Sequence, residues 1–390
     1  MDFSWSAEAQ QVRAEARELF AEMVTDEVLA RVRNTGTHDD PLLRRALAEK
    51  QWLIAHWPPE EGGRGWDGLS VAPLFDEAGR CGAPFEGYLN TMLVGELLRR
   101  VGTEQQKAEV LPRLVRGDAL VALGISEPDS GSDAAAAKLR AEQDGDGWRL
   151  NGQKMFTTFA EVADYVFVLA RTNNEVAKHR GLTTFLVRSD CEGFSLAPVA
   201  TLGGERTNIT FYADVLVPDS ARVGSVDDGW AMMGLVLSLE RGVFPVVPGR
   251  CARLLDRAVE WARSATGRDG QPRLADPVVR EQLAWIAITN EVGRLLALRT
   301  VATHAEGRVP VVEGSMTKLF TTEAMQQVVS SLLDIAGPEG LIADGSPAAI
   351  AGGVFERAYR HAPLETITGG TSEIQRDIIA TAGLGLPRSR

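Results

Sequence analysis

The sequence predicts a multi-domain α+β protein with a helical N-terminal domain, a central β domain and a helical C-terminal domain. Apolar residues recur at helical spacing as far as about Gly117, and long helical patterns return after Asp227. Between them, short apolar or alternating runs are separated by glycine- and asparagine-rich turn clusters, a pattern typical of a small antiparallel barrel or sandwich. This order of helices, β structure and helices is uncommon. The predicted domains are residues 1–118, 119–223 and 224–390.

Length and composition restrict the class of protein. With 390 residues and 44% hydrophobic content, the chain can bury a large core spread over two or three domains. A formal net charge of −12 argues against a nucleic-acid partner, because a phosphate-binding surface needs an excess of basic residues. The sequence contains no apolar run long enough to span a membrane, and its N-terminus lacks the basic-then-apolar pattern of a signal peptide.

Cysteine and histidine usage points to a reducing compartment and to the lack of a metal site. Cys81, Cys191 and Cys251 are far apart in the sequence and are interpreted as free thiols. The five histidines form no cluster with the spacing of metal ligands. We therefore expect a cytoplasmic protein without a bound metal.

The N-terminal domain is expected to begin with an amphipathic helix. Ser6 fits the N-cap position, Glu8 lies in the first turn, and Ala16, Leu19 and Phe20 recur at helical spacing. Two prolines and three glycines predict a loop over residues 58–65, and further helices are predicted over 69–80, 87–101 and 104–116.

The central and C-terminal domains differ in the length of their apolar runs. Short strands are predicted over 120–125, 147–150, 165–171, 183–187, 209–211 and 215–217. Long helices are predicted over 228–263, 276–306, 314–336 and 371–382.

Two segments rich in small and hydroxyl-bearing residues are candidates for binding. They are residues 125–133, Ile-Ser-Glu-Pro-Asp-Ser-Gly-Ser-Asp, and residues 369–376, Gly-Gly-Thr-Ser-Glu-Ile-Gln-Arg. Small side chains let a backbone approach a ligand closely, and amide groups at a helix N-terminus suit a diphosphate. The alternative for each segment alone is structural, with the first a simple turn and Thr371 a simple N-cap.

Together the two segments resemble the signature segments of the acyl-CoA dehydrogenase family. The likeness includes residues 108–133, 150–158, 215–219, 228–230 and 369–376, in the family's order and over nearly the full chain. It implies a helical N-terminal domain, a central β domain and a C-terminal four-helix bundle. FAD is expected between the β domain and the bundle. The implied activity is α,β-dehydrogenation of an acyl-CoA or acyl-carrier-protein thioester, with electrons passed to an electron-transfer flavoprotein, and the implied assembly is a homo- or hetero-tetramer.

The resemblance also assigns site residues. Cofactor contacts fall on Ile125, Ser126, Gly131, Ser132, Phe156, Thr158, Arg268, Thr371 and Glu373. Ser132 and Arg241 are expected to contact the substrate as well, and Phe156 stands where the family usually has Trp. Residues 267–273 lack the Phe of the family's Arg-x-x-Phe-Gly segment, and Asp334 stands where the family has a Gln that contacts the cofactor.

The catalytic base requires a separate argument. Dehydrogenation needs a carboxylate to remove the α-proton and preorganised donors to hold the developing enolate oxygen. Gly369 stands where many family members have that carboxylate, so it can offer only its N–H. Glu240 is the candidate replacement, because it lies in a nearly all-apolar stretch, residues 230–247, where burial would raise its pKa.

The context Leu239-Glu240-Arg241 supports this choice, since it resembles family members that act on branched short acyl groups and carry the base on this helix. The alternative for Glu240 is a structural ion pair with an arginine elsewhere in the chain. Glu365, four residues before Gly369, is the second candidate base, although nothing in the sequence indicates that it is buried.

Pro245 and Pro248 add a prediction about the acyl cavity. A proline inside a helix removes a backbone hydrogen bond, so we expect a kink beside Glu240 that could widen the cavity for a bulky group. The resemblance is strongest to a bacterial subgroup associated with steroid side-chain breakdown, in which two different subunits often share one active site. The alternatives are a partner subunit with little activity alone and a flavin oxidase or monooxygenase on the same fold.

Overall fold

The structure is a computed structural model that describes residues 5–240, 246–267 and 269–387, with Ser238 and Glu240 described by their backbones alone. Its architecture confirms the predicted fold class of helical domain, β domain and helical bundle. Arg268, Arg241 and Pro245 lie outside the described residues.

Among the residues described, the N-terminal domain contains six α-helices: α1 (Ala7–Met23), α2 (Asp26–Thr35), α3 (Pro41–Glu49), α4 (Gly68–Cys81), α5 (Glu86–Val101) and α6 (Glu104–Val115). The Ser6 side chain caps α1 by accepting a hydrogen bond from the Ala9 N–H at 3.1 Å, as its position in the sequence predicts. Thr103 and Gln106 form a reciprocal capping box at the start of α6. The sequence patterns did not predict α2 and α3.

The central domain is an eight-stranded sheet: β1 (Val121–Gly124), β2 (Arg140–Asp144), β3 (Gly147–Lys154), β4 (Tyr165–Arg171), β5 (Leu182–Arg188), β6 (Phe194–Ala200), β7 (Arg206–Pro218) and β8 (Arg222–Val223). The strand order is β6-β7-β3-β2-β4-β5-β8, and β1 pairs with β4. Every residue of β4 is buried, because alternate side chains enter two cores on opposite faces of the sheet. One core joins the sheet to α1, α3 and α4, and the other joins it to α6 and α7.

The sheet is mixed, so the expectation of a purely antiparallel domain is corrected at two pairings. β1 runs parallel to β4, and Arg140 of β2 pairs in parallel with Arg171 of β4. A long connection follows β1 instead of a tight hairpin, and this length lets β1 run in the same direction as β4. The sequence patterns missed β2 because four of its five residues are polar and outward-facing.

The C-terminal domain contains α7 (Gly229–Glu240), α8 (Val246–Ser264), α9 (Pro277–Ala305), α10 (Val311–Ala336), α11 (Val354–Glu365) and α12 (Ser372–Ile378). Helices α8, α9, α10 and α11 share one hydrophobic core, which is the four-helix bundle. The predicted helix over 228–263 is described as α7 and α8, and the predicted kink at Pro245 falls in the undescribed segment between them. Pro248 lies in the first turn of α8, where its missing N–H has no intrahelical acceptor to lose.

The prediction that the helix after Trp230 is buried all round is wrong for the single chain. Met233 and Val236 are buried against the β domain and α5, whereas Trp230 and Leu237 are each 40% exposed. The helix therefore packs by one face, and its apolar opposite face remains on the surface of the protomer.

A buried ion pair fixes the long connection after β1 to the sheet. Lys154, fully buried at the end of β3, donates to Glu127 Oε1 at 2.8 Å and to the Ile125 carbonyl at 3.1 Å. The same carboxylate accepts the N–H groups of Lys138 and Leu139. Burial lowers the pKa of the Lys154 ammonium to about 8, against the opposing effect of Glu127. One ammonium and one carboxylate thus hold both ends of the connection.

Replacing Lys154 with Met should destabilise the protein by about 3–5 kcal/mol, because the buried charge of Glu127 would lose its ion-pair partner. The midpoint of thermal unfolding measures the effect. Lys138→Met is the matched control, since Lys138 pairs with Asp129 on the exposed surface of the same connection and its loss should leave the midpoint nearly unchanged. Equal midpoints for the two variants would contradict the role of the buried pair.

Candidate active site

The connection after β1 presents unpaired amide groups at its surface. Glu127 and Ser130 exchange two backbone hydrogen bonds, of 2.9 and 3.1 Å, and so close a tight turn. Among described residues, the N–H groups of Ser126, Gly131 and Ser132 find no acceptor. Gly131 and Ser132 are exposed, and a Cβ at Gly131 would meet no described atom within 4 Å. This surface has the open backbone donors that a phosphate-bearing ligand requires.

The segment after β3 lies beside this turn, since the Met155 N–H donates to the Ser126 carbonyl at 2.8 Å. Phe156 has a φ of 57° and is 59% exposed, an unusual conformation for a non-glycine aromatic residue. Thr158 Oγ1 lies 3.0 Å from Thr207 Oγ1 on β7, which orients its side chain. The structure therefore brings the predicted residues Ser126, Phe156 and Thr158 into one local surface. Strained backbone of this kind concentrates at functional sites.

A second set of open amide groups lies before α12. Gly369 and Gly370 have φ values of 64° and 90°, which glycine adopts readily and other residues avoid. Gln375 Nε2 donates to the Gly369 carbonyl at 2.9 Å, and the buried Lys318 ammonium donates to the Gly370 carbonyl at 2.7 Å. Because a trans peptide points its C=O and N–H in opposite directions, fixing these carbonyls also fixes the N–H groups of Gly370 and Thr371.

Within the described chain, no residue accepts a hydrogen bond from the N–H groups of Gly369, Gly370 or Thr371. Thr371 caps α12 by accepting from the Ile374 N–H, as the N-cap interpretation predicts. The Gly369–Thr371 loop can therefore act as a set of fixed donors for a developing oxyanion or a cofactor.

A cleft of about 450 Å³ opens between α10 and this loop. Its lining residues are Glu323, Gln326, Gln327, Thr366, Ile367, Thr371, Ser372 and Glu373. The cleft therefore includes the predicted cofactor residues Thr371 and Glu373. The Glu373 carboxylate is exposed, and hydrogen bonds from its own backbone amide and from Thr371 lower its pKa.

Three predicted site residues are not characterised at the level of side chains. Glu240 is the last residue of α7, and its side chain lies outside the description. Arg241 and Arg268 lie outside the described residues altogether.

The second candidate base, Glu365, is buried, which nothing in the sequence indicated. It is 7% exposed at the end of α11 and accepts a hydrogen bond from Arg250 Nη1 at 2.7 Å. Burial alone would raise the pKa of Glu365, but His361 and Arg250 lower it well below its usual value. A carboxylate held ionised in this way is a weak base near neutral pH.

Sequence patterns missed the residues that support the two site loops: Glu127, Lys154, Lys318 and Gln375. One signal was present for Lys154. It lies an even number of residues after Trp148 and Leu150 on β3, and both of these are buried. A lysine on the inward face of a strand needs a buried partner, and Glu127 is the carboxylate in the adjacent turn.

No hydrogen bond or ion pair between described residues joins the Gly369–Thr371 loop to the 125–133 connection. Each is held by its own buried lysine, one in the β domain and one in the bundle. The donor groups, small residues and exposed aromatic fit the FAD that the resemblance implies.

Three family descriptions match consecutive parts of the chain. The acyl-CoA dehydrogenase N-terminal domain matches residues 6–118, the middle domain matches 122–213 and the C-terminal domain matches 227–384.

Known relatives match over the whole length. The chain is 34% identical to acyl-CoA dehydrogenase FadE26 of Mycobacterium tuberculosis over 402 aligned positions, covering 100% of both chains. Among solved structures, the Tcur3481-Tcur3483 steroid ACAD superposes with a TM-score of 0.93 at 35% identity. The ChsE4-ChsE5 complex from Mycobacterium tuberculosis superposes with a TM-score of 0.90 at 32% identity, and both structures cover 100% of each chain. The chain belongs to the acyl-CoA dehydrogenase family of FAD-dependent oxidoreductases that act on CH–CH groups.

Proposed function

We propose that this acyl-CoA dehydrogenase uses Glu240 as the base that removes the α-proton of its thioester substrate. The observation that carries the proposal is the Gly369–Thr371 loop, which offers fixed backbone donors but no carboxylate. A glutamate at position 369 would have to adopt the left-handed backbone that glycine has there. Glu365, the described alternative, is ion-paired and has a lowered pKa. Glu240 ends α7 and is followed by the segment that leads into α8.

The chain's own groups then have defined tasks. The Gly369 N–H and its neighbours hold the thioester oxygen as negative charge develops on it, and Glu240 takes the α-proton. FAD supplies the acceptor for the β-hydride when it is bound. Ile125, Ser126, Gly131, Ser132, Phe156, Thr158, Arg268, Thr371 and Glu373 would hold the cofactor, with Ser132 and Arg241 contacting the substrate.

The proposed substrate is a bulky, branched or steroid-derived acyl thioester. Support comes from the name of the Tcur3481-Tcur3483 steroid ACAD and from the context of Glu240 in the sequence. We expect CoA as the carrier of the acyl group, and an acyl carrier protein is the alternative that substrate tests would distinguish.

We propose that the protomer assembles into a homo- or hetero-tetramer and passes electrons to an electron-transfer flavoprotein. The exposed face of α7 supports assembly, as do Ile288 and Val278 on α9, which are 66% and 60% exposed. Two related structures contain two named components each, which favours a second kind of subunit. No described helix is long and apolar enough to cross a membrane, and we expect a cytoplasmic protein because its three cysteines are free.

The first experiment is to purify the chain alone and record its flavin spectrum before and after addition of straight-chain, branched and steroid-derived acyl-CoAs. Bleaching identifies the substrate class. A colourless preparation would show that the chain needs a partner subunit to hold FAD. Rapid reoxidation of the bleached flavin by oxygen would instead favour an oxidase or monooxygenase.

Glu240→Gln should retain FAD and lower the rate of bleaching by about 100- to 10,000-fold, the usual contribution of a general base. Stopped-flow absorbance measures this rate. Glu260→Gln on the exposed face of α8 is the control for the same change in charge and should leave the rate unaltered. If Glu240→Gln bleaches normally and Glu365→Gln does not, Glu365 is the base and the proposal is wrong.

Gln375→Glu should slow bleaching by about 10- to 1,000-fold, because an acceptor would replace the donor that fixes the Gly369 carbonyl and misalign the adjacent N–H groups. Binding of substrate should change much less than the rate, since the donors act mainly on the developing charge. Gln143→Glu, on the exposed surface of β2, controls for the added charge. Equal loss of binding and rate would indicate a merely structural role for Gln375.

A further inference from the structure

The carbonyl of Gly370 accepts two hydrogen bonds from within the protein, one from a neutral group and one from a charged group. Gln375 Nε2 donates to it at 3.3 Å, and Lys318 Nζ donates at 2.7 Å. Lys318 is only 3% exposed on α10, and burying an ammonium group costs more free energy than burying a neutral amide. Because the amide of Gln375 already reaches this carbonyl, the need for a hydrogen bond does not by itself account for the buried positive charge.

The two successive carbonyls of the Gly369–Thr371 loop differ in their donors. The Gly369 carbonyl accepts from the neutral Gln375 amide at 2.9 Å, whereas the Gly370 carbonyl accepts from the Lys318 ammonium as well. Each carbonyl shares a peptide plane with the N–H group of the next residue. A hydrogen bond to the carbonyl polarises that peptide and strengthens its N–H as a donor, and a charged donor polarises it more than a neutral one. The Thr371 N–H is therefore a stronger donor than the Gly370 N–H.

The Thr371 N–H is available to a ligand. No described residue accepts a hydrogen bond from it, and Thr371 lines the cleft of about 450 Å³ between α10 and the loop. Glu373 lines the same cleft, and its pKa is lowered by hydrogen bonds from its own backbone amide and from Thr371. The positive charges of Arg376 and Lys318 lower this pKa further. The charge of Lys318 thus acts on the side of the loop that faces the cleft.

We propose that Lys318 is a positioning residue for FAD, which acts through the Thr371 N–H to favour the reduced cofactor over the oxidised one. The inference rests on the proposed contact of Thr371 with FAD and adds the residue that acts behind this contact. A flavin gains negative charge when it takes up a hydride, so a donor strengthened by a buried cation binds the reduced form more tightly. The N–H groups of Gly369 and Gly370 remain for the thioester oxygen.

The test measures the reduction potential of FAD bound to Lys318→Met, a variant that keeps the apolar length of the side chain and removes its charge. The FAD-loaded enzyme, with its partner subunit where one is needed, is equilibrated with a dye of known potential. The ratio of affinities for reduced and oxidised FAD should fall about 10- to 100-fold, which lowers the potential by about 30 to 60 mV. The affinity for oxidised FAD, measured by flavin fluorescence, should change much less.

Two variants test whether the charge is responsible. Lys318→Arg keeps a cation and a donor, so it should keep most of the potential. Lys107→Met also removes one positive charge, but Lys107 pairs with the exposed Glu104 at the surface of α6. Its loss should leave the potential unaltered, because solvent and salt screen a surface charge. If Lys318→Met does not fold, Lys318→Gln also lacks the charge and should show the same fall in potential.

A second pair of variants tests the path through Thr371. Thr371→Pro deletes the N–H, and the φ of −61° at this position is the one that proline adopts. Thr371→Val keeps the N–H and is the matched control, since both variants lose the hydroxyl that caps α12. The potential should be lower in Thr371→Pro than in Thr371→Val. Adding Lys318→Met should lower it by less than half as much in the Pro variant as in the Val variant, because the donor that carries the effect is gone.

The outcomes separate this inference from the proposed function. If the chain binds no FAD with or without a partner subunit, or if no thioester bleaches the bound flavin, the proposed function is wrong. If thioesters bleach the flavin but Lys318→Met keeps the wild-type potential, the dehydrogenation stands and the role of Lys318 is overturned. An equal loss of affinity for oxidised and reduced FAD would also overturn it, since it would show that Lys318 only supports the loop. A full effect of Lys318→Met in the Thr371→Pro variant would contradict the path through this N–H.

Discussion

Two buried lysines hold the backbone on which the candidate site depends. Lys154 donates to the carbonyl of Ile125 in the β domain, and Lys318 donates to the carbonyl of Gly370 in the bundle. Neither loop has regular secondary structure to fix its peptide planes. These two contacts therefore orient the peptide planes, as the backbone hydrogen bonds of a helix or sheet do elsewhere. As a consequence, the N–H groups of the same peptides, those of Ser126 and Thr371, point away from the protein's own acceptors. A site made of backbone donors requires this arrangement, because a donor already bonded inside the protein cannot bind a ligand.

The sequence predicted the order of the three domains and most of the long elements, because these depend on the period of apolar residues. Prediction from the sequence failed where the periodicity of apolar residues is weak. The residues of α2 include few buried side chains, and β2 is almost entirely outward-facing. The mixed character of the sheet could not be predicted either, since strand direction depends on how the long connection after β1 crosses the sheet. Local patterns carry no information on that path.

The site residues divide in a similar way. The hydroxyl-rich segments were recognisable because their residue types follow from the need for small side chains near a ligand. The supporting residues Lys154, Glu127 and Gln375 form hydrogen bonds to residues 6 to 29 positions away in the chain. No local sequence pattern therefore predicts them. The burial of Glu365 could not be predicted from a local pattern either. It depends on Arg250, which is 115 residues earlier in the chain and reaches Glu365 only when α8 and α11 pack in the bundle.

The pairing of Glu365 with Arg250 argues against a role for this carboxylate as the catalytic base. A base must give up its charge to a proton during turnover, and a guanidinium at 2.7 Å opposes that transfer by stabilising the ionised form. The ion pair between Glu365 and Arg250 therefore favours our proposal that Glu240, and not Glu365, takes the proton.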